Sequence, residues 1–156
     1  MLMDNPLWHY SLSVYPRDGV EELLLRLQDD CALDVNVLLY AAWLGGQGIA
    51  LTQAHCEEVL AVTREWREAV VAPLRGLRRQ LRGIEAAQAV RARVKALELE
   101  SEAEQQRLIY ACHRTAGLTP GGGTVAENLA LVAARSSAPA AHWRPLLEKL
   151  GPLLAP

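Results

Sequence analysis

An all-α bundle of six or seven helices is the fold that this sequence predicts, and three observations carry the prediction. Apolar residues recur at three- and four-residue spacing along most of the chain, and no segment alternates apolar with polar residues as a half-buried strand does. Asn, Asp and Thr stand where helices should begin, and Gly and Pro stand where they should end.

Asn5 before Pro6 offers an N-cap and a proline at the first helical position, and Trp8, Leu12 and Tyr15 follow at helical spacing, so a first helix is predicted over about 6–14. Turn chemistry from Tyr15 through Pro16 to Gly19 separates it from a second helix, whose inner face carries Val20, Leu23, Leu24, Leu27 and Cys31. Asp34 can cap a third helix that runs through Val35, Leu38, Leu39 and Ala42 to Trp43 and stops at Gly45, Gly46 and Gly48. Nearly all of its residues are apolar, which predicts a central, buried helix. The polar Asn36 should satisfy itself on neighbouring backbone or on Asp34, because an unpaired buried amide costs about 1–3 kcal/mol.

Thr52 caps a fourth helix, on which Val59, Trp66, Val70, Leu74, Leu77, Leu81 and Ile84 fall within an arc of about 80°. Pro73 should kink it, since proline lacks a backbone donor and clashes with the preceding turn. The longest helical pattern runs from Glu85 to about Ala116, with Val90, Val94, Leu97, Leu108 and Cys112 as its inner stripe and Glu98, Glu100, Glu102 and Glu104 as a solvated acidic middle. Gly117 to Gly123 breaks that helix, and the triple glycine 121–123 reads as a flexible connector. Thr124 and Glu127 form a capping box for a helix over about 125–135, and a last short helix near 139–150 is limited by Pro139, Pro145 and Gly151. One domain over 1–156 follows, with its core over about 6–135 and a Pro/Ala-rich tail over 136–156.

Just over half of the 156 residues are apolar and 22% are charged, the balance of a globular chain rather than a disordered one. The start lacks the basic-then-apolar pattern of a secretory signal. The longest apolar run, Val37 to Leu44, is far short of the roughly 20 residues of a membrane span. Cys31, Cys56 and Cys112 are odd in number, far apart and outside any C-x-x-C pattern, so reduced core thiols are expected rather than disulfides or a zinc knuckle. A cytoplasmic protein is the expectation.

The net charge of −2 conceals a split, since residues 1–63 carry two basic and nine acidic residues while 64–95 carry nine basic and three acidic. Arg64, Arg67, Arg75, Arg78, Arg79 and Arg82 project within about 120° of one another on an ideal helix, as one ridge beside the apolar stripe. Glu68 can pair with Arg64, but the Arg75-to-Arg82 half has no acid on its own face. It needs water, an acidic neighbour such as Glu21, Glu22 or Asp29, or a partner. Arg75, Arg78, Arg79 and Arg82 are expected to be accessible and dispensable for folding.

Other constellations are weaker. Asp29, Asp30 and Asp34 loosely resemble the aspartate-rich magnesium motifs of helical prenyl-transferring enzymes, although Asp34 has a simpler role as an N-cap and no second motif accompanies them. His9, His55, His113 and His142 are scattered, and His55 with Glu58 is a thin metal spacing. No cofactor and no metal is expected, and no catalytic triad can be read. Most of the eight Trp and Tyr residues should be core, with those near Pro73 able to line a groove.

The phrases Asp34-Val35-Asn36 with Leu38-Leu39, and Val70-Val71-Ala72-Pro73-Leu74-Arg75 with Arg78-Arg79, occur here in a characteristic order. Over roughly residues 7–115 the chain resembles a family of small bacterial proteins catalogued as a domain of unknown function. The resemblance implies a helical bacterial cytoplasmic protein and assigns no activity to any residue. The preferred function is a non-catalytic adaptor or regulator that binds a macromolecule through the arginine ridge and an adjacent apolar groove. A protein is the preferred partner, with nucleic acid, another anion or a second copy of the chain as alternatives. The competing function is a small magnesium-dependent enzyme acting on a phosphorylated or diphosphate substrate.

Overall fold

The first turn of a helix leaves amide groups without intrahelical partners, and side chains just ahead of it take them up. In the computed structural model, which describes residues 5–156, Asn5 accepts from the Leu7 and Trp8 amides to start α1 (Pro6–Val14). Asp34 accepts from Val37 at 2.9 Å to start α3 (Val35–Gly46), and Thr52 accepts from His55 at 3.1 Å to start α4 (Gln53–Trp66). Thr124 does the same for α7 (Val125–Ala133). Left-handed residues bound α2 (Val20–Cys31), with Gly19 before it and Ala32 after it, and Gly117 ends α6 (Gln88–Ala116) in the same way.

Pro73 bends the hydrogen-bond register without ending the rod. Ahead of it the turn Arg67–Val71 widens to a π-helix, with the Ala72 amide donating to the Arg67 carbonyl, and the chain runs on into α5 (Ala72–Gln80). Because proline supplies no donor to the turn below it, a five-residue loop there satisfies the backbone that a regular turn would leave open. A tight 3₁₀ turn, Glu85–Ala87, precedes α6. With α4 and α5 continuous, the described residues form seven helical rods and no strand.

The apolar α3 lies at the centre, where Val37 to Ala42 and Leu44 are all buried. It packs along α7 and meets α1, α2 and α6, while α8 (Ala140–Leu153) closes the bundle over α2 and α7. The core extends beyond the expected limit at 135, since Leu146, Leu150 and Leu154 are buried in it. The last helix also passes through Pro145 and over Gly151 to Leu153.

Asn36 finds different partners from those expected. Its Nδ2 donates to Gln105 Oε1 at 2.9 Å, and its Oδ1 accepts from Gln106 Nε2 at 2.9 Å. Gln105 in turn donates to the Asp34 carboxylate at 3.0 Å, and Gln106 to Ser11 Oγ at 2.9 Å. This satisfied polar network ties α1, α3 and α6 together.

The triple glycine is not a loose connector. The amides of Gly121 and Gly123 both donate to the Gly48 carbonyl, at 2.9 and 3.0 Å. A Cβ on Gly123 would stand 2.1 Å from the Ile49 carbonyl carbon, so only glycine lets these two backbones meet.

The predicted apolar stripe of the fourth helix is buried only at its start. Val59 is fully enclosed, whereas no residue of α5 is buried and Leu77, Ile84, Val90 and Leu97 are each 41–53% exposed. Here α5 packs chiefly on α6 and on the π turn, which leaves one side of the apolar seam open.

Candidate functional site

The arginine ridge meets α6. Arg78 donates through Nε to Glu98 Oε1, and Arg75 reaches Glu98 Oε2 and Glu102 Oε1, both at 3.3 Å. The Arg78 and Glu98 side chains are only 17% and 8% exposed, so the expectation that Arg75 and Arg78 stand free in solvent is corrected. The reason is spacing, since Glu98 and Glu102 lie one turn apart on the face of α6 that α5 covers. They are not the solvated middle that the sequence suggested. Burial and the neighbouring Glu98 charge push the Glu102 carboxyl up to about 7, with Arg75 opposing the shift.

The remaining arginines divide between internal and open roles. Arg79 pairs with Asp29 at 2.7 Å, half exposed on both sides. Arg67 donates to the Leu60 carbonyl and to Thr63 Oγ1 and lies 4.0 Å from Asp34, while Arg64 holds only a 4.0 Å contact to Glu68. Arg82 is exposed, and its side chain has no hydrogen bond or ion pair among the described residues.

Asp29, Asp30 and Asp34 do not form one site. A cavity of about 370 Å³ between α2 and α5 is lined by Asp29 with Gln28, Arg75, Gly76 and Arg79, but by neither Asp30 nor Asp34. Asp34 caps α3 and accepts from Gln105, and Asp30 is exposed at the end of α2.

A second constellation joins three helices, so spacing along the chain showed only its His55–Glu58 pair. Tyr40, fully buried on α3, places its hydroxyl 2.8 Å from His55 Nε2 on α4 and 3.0 Å from His113 Nδ1 on α6. Trp43 and Tyr110 pack against the His113 ring, with centroids 5.0 and 5.8 Å away. Burial and the nearby His55 hold His113 below its ordinary pKa, so its neutral form is favoured. The other nitrogen of the buried His55, Nδ1, has no hydrogen-bond partner. It lies 3.7 Å from Glu58 Oε2, too far for a hydrogen bond, and Cys112 Sγ donates to Glu58 Oε1 at 3.4 Å. Burial and that carboxylate push the Cys112 thiol up to about 11.

A family model described as "Protein of unknown function (DUF2390)" matches residues 6–109, two thirds of the chain. The chain belongs to the DUF2390 family. No curated protein and no solved structure matches it.

The DUF2390 match takes in the arginine ridge, Glu98, Glu102, Tyr40, His55 and Glu58 but stops short of Cys112 and His113. Glu98, Glu102, Tyr40 and Cys112 thus take places in the two constellations that spacing alone had not given them. A signal for the first was present, since Val94, Glu98, Ser101, Gln105 and Ile109 recur at three- and four-residue steps and all are buried. It was hidden because three of the five are polar.

Proposed function

We propose that this DUF2390 protein is a non-catalytic adaptor or regulator that docks a protein partner on the outer end of the α5–α6 hairpin. The observation that carries the reading is the coincidence of exposed apolar and unpaired basic groups there. Leu77, Ile84, Val90 and Leu97 are exposed on the same hairpin as Arg82 and Arg93, whose side chains have no partner among the described residues. Residues 72–97 carry seven basic residues and one acidic, in a chain whose net charge is −2. An acidic amphipathic segment would cover the apolar residues and meet the guanidinium groups. Arg75 and Arg78 drop out of the contact surface and serve as its internal brace. The three free, buried thiols fit a reducing compartment, and we place the protein in the bacterial cytoplasm.

The test is affinity capture from a bacterial lysate with the wild-type chain, Leu97→Ser, Arg82→Gln and the control Leu12→Ser, each checked by circular dichroism. A protein retained by the wild type and the control but lost with either hairpin variant supports the reading. Binding that tracks Arg82 and salt but ignores Leu97 points to nucleic acid instead. Capture that neither hairpin variant alters would falsify the docking surface.

A further inference from the structure

The cluster around Tyr40 carries an inference independent of the hairpin. We propose that His55, Glu58 and Cys112 form a binding site for a divalent metal ion of the zinc class, with Tyr40 fixing the histidine from behind. A ring nitrogen of His55, a Glu58 oxygen and Cys112 Sγ all lie within 4.8 Å of one another, the only such group of three among the described residues. A tetrahedral ion with bonds of about 2.0–2.3 Å sets its ligand atoms roughly 3.3–3.7 Å apart. His55 Nδ1 lies 3.7 Å from Glu58 Oε2 and Cys112 Sγ 3.4 Å from Glu58 Oε1, so each approaches the carboxylate at about that spacing, through a different oxygen.

The second observation is the orphaned nitrogen. His55 is 95% enclosed, and its Nδ1, 3.7 Å from Glu58 Oε2, has no hydrogen-bond partner. Tyr40 can donate one hydrogen bond and accept another, and it touches two ring nitrogens. If His55 Nε2–H donates to Tyr40 and the Tyr40 hydroxyl donates to His113 Nδ1, then His55 Nδ1 keeps a bare lone pair. A metal selects this arrangement. A ligating histidine commonly has its other nitrogen held by an outer partner, which sets its tautomer and ring orientation. Tyr40 and His113 supply that outer shell, and Trp43 and Tyr110 wall it in.

The donor set decides the class of ion. One imidazole nitrogen, one sulfur and one carboxylate suit zinc and its late first-row neighbours, whereas magnesium and calcium prefer oxygen throughout. Binding would release the thiol proton, since the thiolate is the ligand. Three protein ligands leave a fourth corner for water, and Glu58, 55% exposed, opens that side to solvent.

The chain, reduced and stripped of metal with a chelator, is titrated with cobalt(II). Thiolate ligation appears as a near-ultraviolet charge-transfer band, and tetrahedral geometry as intense visible bands. One cobalt per chain with both signatures, displaced by zinc, is expected. Cys112→Ser should abolish the charge-transfer band, while Cys31→Ser and Cys56→Ser keep it. Glu58→Gln should weaken cobalt binding by at least about tenfold, the lower bound for losing even an outer-shell partner. No charge-transfer band at saturating cobalt, or a band that survives Cys112→Ser, overturns the site. If Cys112→Ser does not fold, Glu58→Gln decides alone, and an unchanged cobalt affinity in it overturns the site equally.

Discussion

Gly121 and Gly123 look alike in the sequence and differ completely in what surrounds them. A Cβ on Gly121 would meet nothing nearer than the Thr119 carbonyl at 4.0 Å, whereas on Gly123 it would strike the Ile49 and Ala50 backbone at 2.1 Å. Flexible side chains can move aside, but here both obstacles are main chain. Gly123→Ala should therefore cost upwards of about 2 kcal/mol, as overpacking does, while Gly121→Ala should stay within about 0.5 kcal/mol of the parent. Urea unfolding midpoints of the two variants test this, and equal midpoints would contradict the close approach. The neighbouring Asn128 explains why the two loops meet at all. Its Nδ2 donates to the Ala41 and Ile49 carbonyls, at 3.1 and 2.8 Å, and its Oδ1 accepts from the Leu51 amide. Nothing at Asn128 announces this in the sequence, because each partner is backbone more than seventy residues away.

At the scale of elements, the α5–α6 hairpin is held by charge where a bundle is usually held by apolar packing. Removing Arg78 leaves the buried Glu98 with Arg75 as its remaining guanidinium, whereas Arg79 and Asp29 are both half exposed. Arg78→Gln should thus cost about 2 kcal/mol and Arg79→Gln no more than about 1 kcal/mol. Denaturant melts read the difference, and two small, equal costs would return the ridge to solvent. Glu102 adds a pH dependence to the same layer. Its carboxyl, raised to about 7 from an ordinary 4.5, holds a proton in the folded chain that the unfolded chain has already released. That stabilisation is complete below the unfolded pKa and is lost as the pH rises through about 7, at up to about 1.4 kcal/mol per pH unit. His113, with its pKa lowered, contributes in the opposite direction, stabilising above its ordinary value and less on acidification. Comparing wild type with Glu102→Gln cancels the histidine. Between about pH 5 and pH 8 the wild type should lose stability relative to the variant, and parallel profiles would contradict the shift. The ridge itself was legible from its wheel positions, and its lack of acids on the same face already asked for a neighbour. Which neighbour was not legible, because Glu98 and Glu102 sit among four alternating glutamates and only packing tells which of them meet α5.

For the whole molecule, local signals and long-range ones had different fates. Caps at Asn5, Asp34, Thr52 and Thr124 act within three residues, so the helix starts could be read directly from the sequence. The last helix was legible over about 139–150, but its final turn past Gly151 and its place in the core were not, since Pro145 and Pro152 argue locally against them while burial argues for them. Trp143, Leu146, Leu147, Leu150 and Leu154 all enter the core, and α8 lies along α2. Tyr10 donates to the Leu154 carbonyl at 2.7 Å, and Arg17 reaches the Leu153 and Ala155 carbonyls, which ties the end of the chain to its beginning. The DUF2390 match at 6–109 therefore covers α1 to most of α6 but omits both helices that bury the outer faces of α2 and α3. A fragment ending at Gly117 would uncover the faces of α2 and α3 against which α8 and α7 pack, at about 1.5–3 kcal/mol for each large apolar side chain fully exposed. Such a loss rivals the whole stability of a typical domain, about 5–15 kcal/mol. The fragment should consequently show helical circular dichroism without a cooperative urea transition, while the chain through Pro156 unfolds in a single step. A sharp transition in the fragment would mean that α7 and α8 are an addition to a fold complete without them.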